Sequence, residues 1–275
     1  MSVESQNEDQ ADPNASPLAY FGNEVKIERE RLHMSRIELG QKAACSASLV
    51  AKIETGSRVP QLSFAEVCDE IFPHSQGRFA RLWPLAMRYA FPPWFRPYVE
   101  LEWKATVVAM FHPQFFPGLV QTPEYAREML RAGRPNKLDD LVTARIERQR
   151  ILTREDPARL WVILNESVLK NCVGSSTLMR AQLTRLRDLA ETPHHRVQII
   201  PSAKFNGLVG SPFGLLSFKE GADVVHVEGF PKGYLLADPA DVEMARDGYD
   251  LLKSMACPPD ESAEMLDSVS KEWYS

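Results

Sequence analysis

Lys26, Arg29, Arg31, Arg36, Lys42, Lys52 and Arg58 gather in one stretch of the chain, interleaved with the hydroxyls of Ser35, Ser46 and Ser48. Cationic and hydroxyl side chains in such a group suit contacts to a polyanion, whose phosphates take charge-assisted hydrogen bonds. The chain as a whole is acidic, at a formal charge of -5, but charge acts by segment. Residues 19–99 carry 11 basic and 8 acidic side chains and form the only net-positive segment; residues 1–18 carry none and 4, and residues 100–275 carry 21 and 25. Glu24, Glu28, Glu30, Glu38 and Glu54 dilute the basic group, so one copy of it predicts weak affinity and a dimer or a partner is needed for specific binding.

Other reactive residue types are less telling. Glu166 opens a helix after an apolar run, a place where enzymes put a carboxylate, yet a first-turn Glu is favourable through the helix dipole alone. His194 and His195 read as a solvated turn, and Arg145 with Arg148 as a solvated helix face. Gly207, Gly210 and Gly214 lack the strand-then-helix context of a nucleotide loop. Cys45, Cys68, Cys172 and Cys257 form no C-x-x-C pair, which predicts buried reduced thiols and no zinc site. Neither catalysis nor a cofactor is expected.

The elements that position the basic group are helical. Met34 to Pro60, MSRIELGQKAACSASLVAKIETGSRVP, reads as a helix, a tight turn and a second helix. Ser35 and Ser46 are placed to cap the two helices, Leu39 with Ala43 and Val50 with Ile53 share faces, small Ala44 permits the turn, and Gly56 suits a left-handed C-terminal cap.

The pattern S-x-x-x-V-x-x-I-E-x-G from Ser46 to Gly56 resembles the Xre and lambda-repressor-like helix-turn-helix domains, over about Phe21 to Phe72. The resemblance implies that the second helix enters the major groove of double-stranded DNA. Carried over by position, it makes Arg36 a phosphate contact where the family usually has Gln, Ser46 a helix cap, Ala47, Ser48, Leu49, Ala51 and Lys52 the groove-facing set, and Arg58 a phosphate neighbour. Only Ser48 and Lys52 of that set can hydrogen-bond a base edge. Glu28 departs from the family, which places Leu or Ala there. Without DNA, the same pattern describes two packed helices of an interaction module.

Beyond residue 100 the grammar changes. Ala105–Phe111, Leu160–Leu164, Val197–Ile200, Gly214–Phe218 and Val224–Val227 are strand candidates, alternating with helices capped at Thr122, striped by Met179, Leu183, Leu186 and Ala190, striped again by Val242, Ala245, Tyr249, Leu252 and Ala256, and closing over Ser262–Trp273. WFRPYVELEWKA, FFPGLVQTPEYAREML, RIERQRIL, LWVILNESVLKNCVG, MRAQLTRL and VQIIP resemble the uncharacterised C-terminal domain of WhiJ-type, antitoxin-like actinobacterial regulators. That resemblance implies a small acidic partner protein encoded nearby.

Length, at 275 residues, and a globular composition of 44% hydrophobic and 25% charged residues predict two modest domains. The expected organisation is a disordered tail (1–18), an all-α helix-turn-helix domain (19–75), a helix and Pro/aromatic linker (76–99) and an α+β domain (100–275). No apolar run reaches the roughly 18 residues of a membrane span and no signal-peptide pattern opens the chain, so a cytoplasmic protein is expected. The function expected is a homodimeric, DNA-binding transcriptional regulator modulated by its partner. An antitoxin-like interaction module and a one-component small-molecule sensor, its pocket lined by Phe91–Tyr98 or Phe111–Val120, are the alternatives.

Overall fold

The computed structural model describes Asp12, residues 15–204 and residues 210–275. Most of the expected tail, and Gly207, lie outside the described residues. The chain divides into two compact units, Met1–Pro93 and Trp94–Ser275.

The first unit is all-helical: α1 (Pro17–Arg31), α2 (Arg36–Lys42), α3 (Ala47–Glu54), α4 (Leu62–Ile71) and α5 (Arg78–Met87). Two boundaries differ from the sequence reading. α1 starts inside the expected tail, because Ser16 Oγ accepts the Ala19 N–H at 3.1 Å and Pro17 fills a first-turn position that needs no donor. α5, the helix expected after the helix-turn-helix domain in 76–99, packs into the first unit's core. Phe79 is fully buried, edge-on to Phe21 at 5.8 Å and tilted on Phe72 at 5.4 Å. Trp83 Nε1 donates to Pro60 O at 2.9 Å. The start of α5 has no cap of its own; Asp69 on α4 accepts from the Phe79 and Ala80 N–H groups at 3.0 and 2.8 Å.

α5 also explains Glu28. The carboxylate is buried, 2.6 Å from Arg78 Nη2 and 2.9 Å from Arg31 Nη2, and Arg78 Nη1 reaches Glu24 at 3.1 Å. The buried acid on α1 is matched by a cation fifty residues on.

The second unit is built on a six-stranded sheet in the order β3-β2-β1-β4-β5-β6. β1 (Val107–His112), β2 (Arg159–Asn165) and β3 (His195–Ile200) are parallel. Helical crossovers join them: α7 (Pro123–Arg131) and α8 (Leu138–Arg148) between β1 and β2, α9 (Glu166–Lys170) and α10 (Ser176–Glu191) between β2 and β3. β4 (Phe213–Ser217), β5 (Val224–Val227) and β6 (Tyr234–Leu236) continue the sheet antiparallel. α6 (Arg96–Lys104) precedes the sheet, and α11 (Pro239–Met255) and α12 (Pro259–Tyr274) follow it.

Both faces of the sheet are covered, which is why its central strands read as continuous apolar runs. Val108, Met110, Leu160, Val162, Leu164, Val197 and Ile199 share one core with Leu183, Leu186, Leu266 and Tyr274. Phe111, Ile163, Ile200, Phe213, Leu215 and Val225 meet Val242, Tyr249 and Leu252 of α11 on the other face. Tyr249 Oη donates to Trp161 O at 2.9 Å, fixing α11 on the sheet. Cys68 and Cys257 are buried as expected, Cys45 is half-buried, and Cys172 is exposed against expectation. Among the described residues no helix is long and apolar enough to cross a membrane.

Placing α5 in the first unit has a measurable consequence. Phe79→Ala removes a buried ring between two aromatic neighbours and is expected to cost the first unit about 3–5 kcal/mol, read as a shift of its urea unfolding transition with the second unit's transition in place.

Candidate nucleic-acid interface

α2 and α3 form as local chemistry dictates. Ser35 Oγ accepts the Glu38 N–H at 3.2 Å while the Glu38 carboxylate accepts the Ser35 N–H at 2.7 Å, a reciprocal capping box. Those hydrogen bonds also lower the Glu38 pKa, the backbone bond at Ser35 first. Ser46 Oγ accepts the Leu49 N–H at 3.2 Å and starts α3. The turn between them passes through Ala44 at φ 50°, in the left-handed region. It closes with Cys45 N–H on Gly40 O at 2.8 Å, and a Cβ on Gly40 would lie 2.6 Å from Cys45 O, so only glycine admits so close a turn. α3 ends at Gly56, φ 65°, with Ser57 N–H returning to Lys52 O at 2.9 Å.

What locks the two helices to α1 is one carboxylate. The Glu54 side chain has 0% exposure. Its Oε1 accepts from Arg29 Nε at 2.5 Å, and its Oε2 accepts from Arg29 Nη2 at 3.1 Å and from Arg36 Nε at 2.8 Å. Arg29 Nη1 also donates to Met34 O at 2.9 Å, tying in the loop ahead of α2. The Glu54 hydrogen bond raises the Arg29 pKa, holding that guanidinium charged. One acid on α3 thus gathers a cation from α1 and another from α2.

The residues singled out in sequence separate into two groups. Ser48 and Lys52, one helical turn apart on α3, are exposed, with Ala47 partly exposed beside them. Ser46 is the cap, and the Arg58 N–H joins the turn after α3 through Lys52 O at 3.1 Å. Arg36, expected on phosphate, stands at the first position of α2 with its Nε on Glu54 and its side chain 32% exposed. It is an ion-pair partner first. Glu54, read in sequence as diluting the positive charge, is the residue whose importance was missed.

In the second unit, three expectations change. Arg148 is not on a solvated face: it is 8% exposed, and its Nε and Nη2 both bind Glu102 at 2.7 Å, with Glu102 2% exposed. Burial lowers its pKa, but the Glu102 charge and hydrogen bonds outweigh that and the net shift is upward. Arg145, one turn earlier, is also partly buried. His195 opens β3 and is 4% exposed, whereas His194 is exposed. Glu166 starts α9, where Lys170 Nζ at 2.6 Å and the Ser202 N–H at 2.8 Å hold its carboxylate, lowering its pKa. Among the described residues no group of three or more metal-ligating side chains gathers. Between the sheet and α11 runs an apolar groove of about 260 Å³, lined by Phe213, Val225, Val227, Leu236, Met244 and Ala245.

Two stability effects follow from this geometry. Ala44→Gly relieves a left-handed alanine and is expected to stabilise the first unit by about 0.5–1 kcal/mol in urea unfolding, after the entropy cost of glycine. Arg148→Met leaves Glu102 buried and unpaired and is expected to cost about 3–5 kcal/mol, whereas the double variant with Glu102→Leu costs far less; a double-mutant cycle by chemical denaturation measures the difference.

No curated protein and no solved structure matches the chain. Residues 95–268, which span the sheet and most of its helices, match a family described as a domain of unknown function, DUF5753. That match covers more than half of the chain, and the chain therefore belongs to the DUF5753 family.

Proposed function

We propose that the chain is a sequence-specific DNA-binding transcriptional regulator whose first unit is a helix-turn-helix domain and whose DUF5753 unit modulates it. One observation carries this. α3 commits Val50, Ile53 and Glu54 to the interior and leaves Ser48 and Lys52 exposed on one face, with no side-chain hydrogen bond inside the described chain. Polar side chains at the surface of a helix whose rigid seat is fixed by buried ion pairs suit base-edge readout.

In this function α3 lies in the major groove with Ala47, Ser48 and Lys52 toward the bases, and Arg58 and the outer nitrogens of Arg36 toward phosphate. Two copies bind one operator. A small acidic partner, implied by the resemblance to WhiJ-type regulators, docks on the second unit and changes DNA affinity. Exposed Phe230 of the β5–β6 connection, at 99%, Tyr234 at the start of β6, at 62%, and Met244 on α11, at 73%, supply the apolar surface for such a partner. An interaction module without DNA binding is the second reading, favoured by that same surface.

Fluorescence anisotropy with duplex DNA from upstream of the protein's own gene tests the proposal. The full chain is expected to bind in the nanomolar range with a log-log salt slope of about -5, three phosphates per subunit in a dimer. Ser48→Asp with Lys52→Glu is expected to weaken binding at least about 100-fold. These two positions are the right ones to change, because Arg36→Glu would set a second carboxylate against buried Glu54 and unfold the unit it probes. A slope near zero, or equal binding by the variant, would return the function to the interaction module.

A further inference from the structure

The two edges of the six-stranded sheet are finished differently. At β3 the Ile199 N–H donates to Ser262 Oγ at 3.1 Å and the Ile199 carbonyl accepts from the Cys257 N–H at 2.9 Å, so the chain closes this edge itself. At β6 no backbone bond beyond the β5 ladder is made among the described residues. Beside that open edge lies the apolar groove, with Val227 of β5 and Leu236 of β6 on its sheet side and Met244 and Gly248 on its α11 side. A Cβ on Gly248 would meet nothing within 4 Å, so the groove is unfilled at that point.

The same edge carries a protruding ring. Phe230, in the turn from β5 to β6, is 99% exposed, and Tyr234, the cross-strand neighbour of Val227, is 62% exposed. The turn is compact: a Cβ on Gly233 would lie 2.6 Å from His226 Nε2 and 2.9 Å from Val227 O, so the chain packs back on β5 behind Phe230. A cavity of about 150 Å³ already admits benzene, so a phenyl ring fits a groove of about 260 Å³. Ring and groove are both unfavourable in water. The charges match as well. Lys232, two residues after Phe230, and Asp241, at the groove, are both exposed, and neither forms an ion pair among the described residues.

We propose that the second units of two copies pair about a two-fold axis at the β6 edge, with Phe230 of each copy in the groove of the other and Lys232 of each against Asp241 of the other. One chain carries both the ring and the groove, and both the cation and the acid, so the surface is complementary to itself, as an isologous interface requires. Each contact is made twice. β6 is only three residues long and the groove is small, which places the dimer in the weak, concentration-dependent class. This interface is where the two copies of the DNA-binding reading meet, and only its consequence for DNA rests on that reading: a partner seated on Phe230 and Met244 excludes the second copy and so lowers DNA affinity.

Sedimentation equilibrium of the full chain, without DNA, tests the pairing, so its failure and the failure of the DNA-binding reading are seen separately. A monomer–dimer equilibrium with a Kd in the micromolar range is expected. Phe230→Ala and Gly248→Leu are each expected to raise that Kd at least about tenfold with unchanged far-UV circular dichroism, because neither the exposed ring nor the space over Gly248 is used by the fold of one chain. Lys232→Glu is expected to raise it about threefold or more, and Lys232→Glu with Asp241→Lys to bring it back. A mixture of Phe230→Ala with Gly248→Leu is expected to associate more tightly than either alone, since it keeps one ring facing one open groove. A monomer up to about 200 μM leaves the groove to another protein and overturns the proposal. A dimer whose Kd none of these variants changes, or a charge swap that restores nothing, overturns it equally. A changed circular dichroism spectrum in both Phe230→Ala and Gly248→Leu would make the two positions structural and would also overturn it.

Discussion

The Glu54 carboxylate, sealed from solvent between the guanidinium groups of Arg29 and Arg36, is the interaction on which the first unit depends. A buried carboxylate left alone is strongly destabilising, so the pose of α3 is coupled to both cations. Two short helices, α2 and α3, are thereby held on α1 in one geometry. The same arrangement directs α3: with Glu54 inward beside Val50 and Ile53, the opposite face with Ser48 and Lys52 must point out. Arg36 neutralises Glu54 with its Nε while its side chain stays 32% exposed.

The second unit uses the same device for a different end. Arg148 and Glu102 form a bidentate pair that joins α8 to α6 beneath the aromatic rings of Phe95 and Tyr98. Around it the sheet changes character, parallel through helical crossovers from β3 to β1 and antiparallel from β4 to β6. The C-terminal ends of β1 and β5 lie at one end of the sheet with β4 between them, and His112 and His226 are buried there.

What was legible in sequence was what is local. Ser35, Ser46 and Thr122 cap helices three residues away, Gly56 takes its left-handed turn, and the five longer strands announce themselves by β-branched and apolar runs. What was not legible depends on partners distant in the chain. Glu54 reads as a surface charge until Arg29, 25 residues earlier, is seen against it. Glu28 reads as a misfit until Arg78 supplies its counter-charge. Arg148 shares a helical face with Arg145, and spacing alone says nothing of Glu102, 46 residues away, that pairs with Arg148. The helix of α5 was expected, but not its place in the first unit's core, which rests on Asp69 of α4 capping its first turn. β6 is three residues at a sheet edge, too short for a period to register.

Hydrogen exchange of the full chain with and without duplex DNA from upstream of its own gene tests the central claim most directly. The amides of residues 46–58, at the start of α3 and the turn beyond it, are predicted to gain protection on DNA, together with the first turn of α2. Protection confined to residues 95–268, or none anywhere, would contradict the assignment of α3 as the DNA-reading helix.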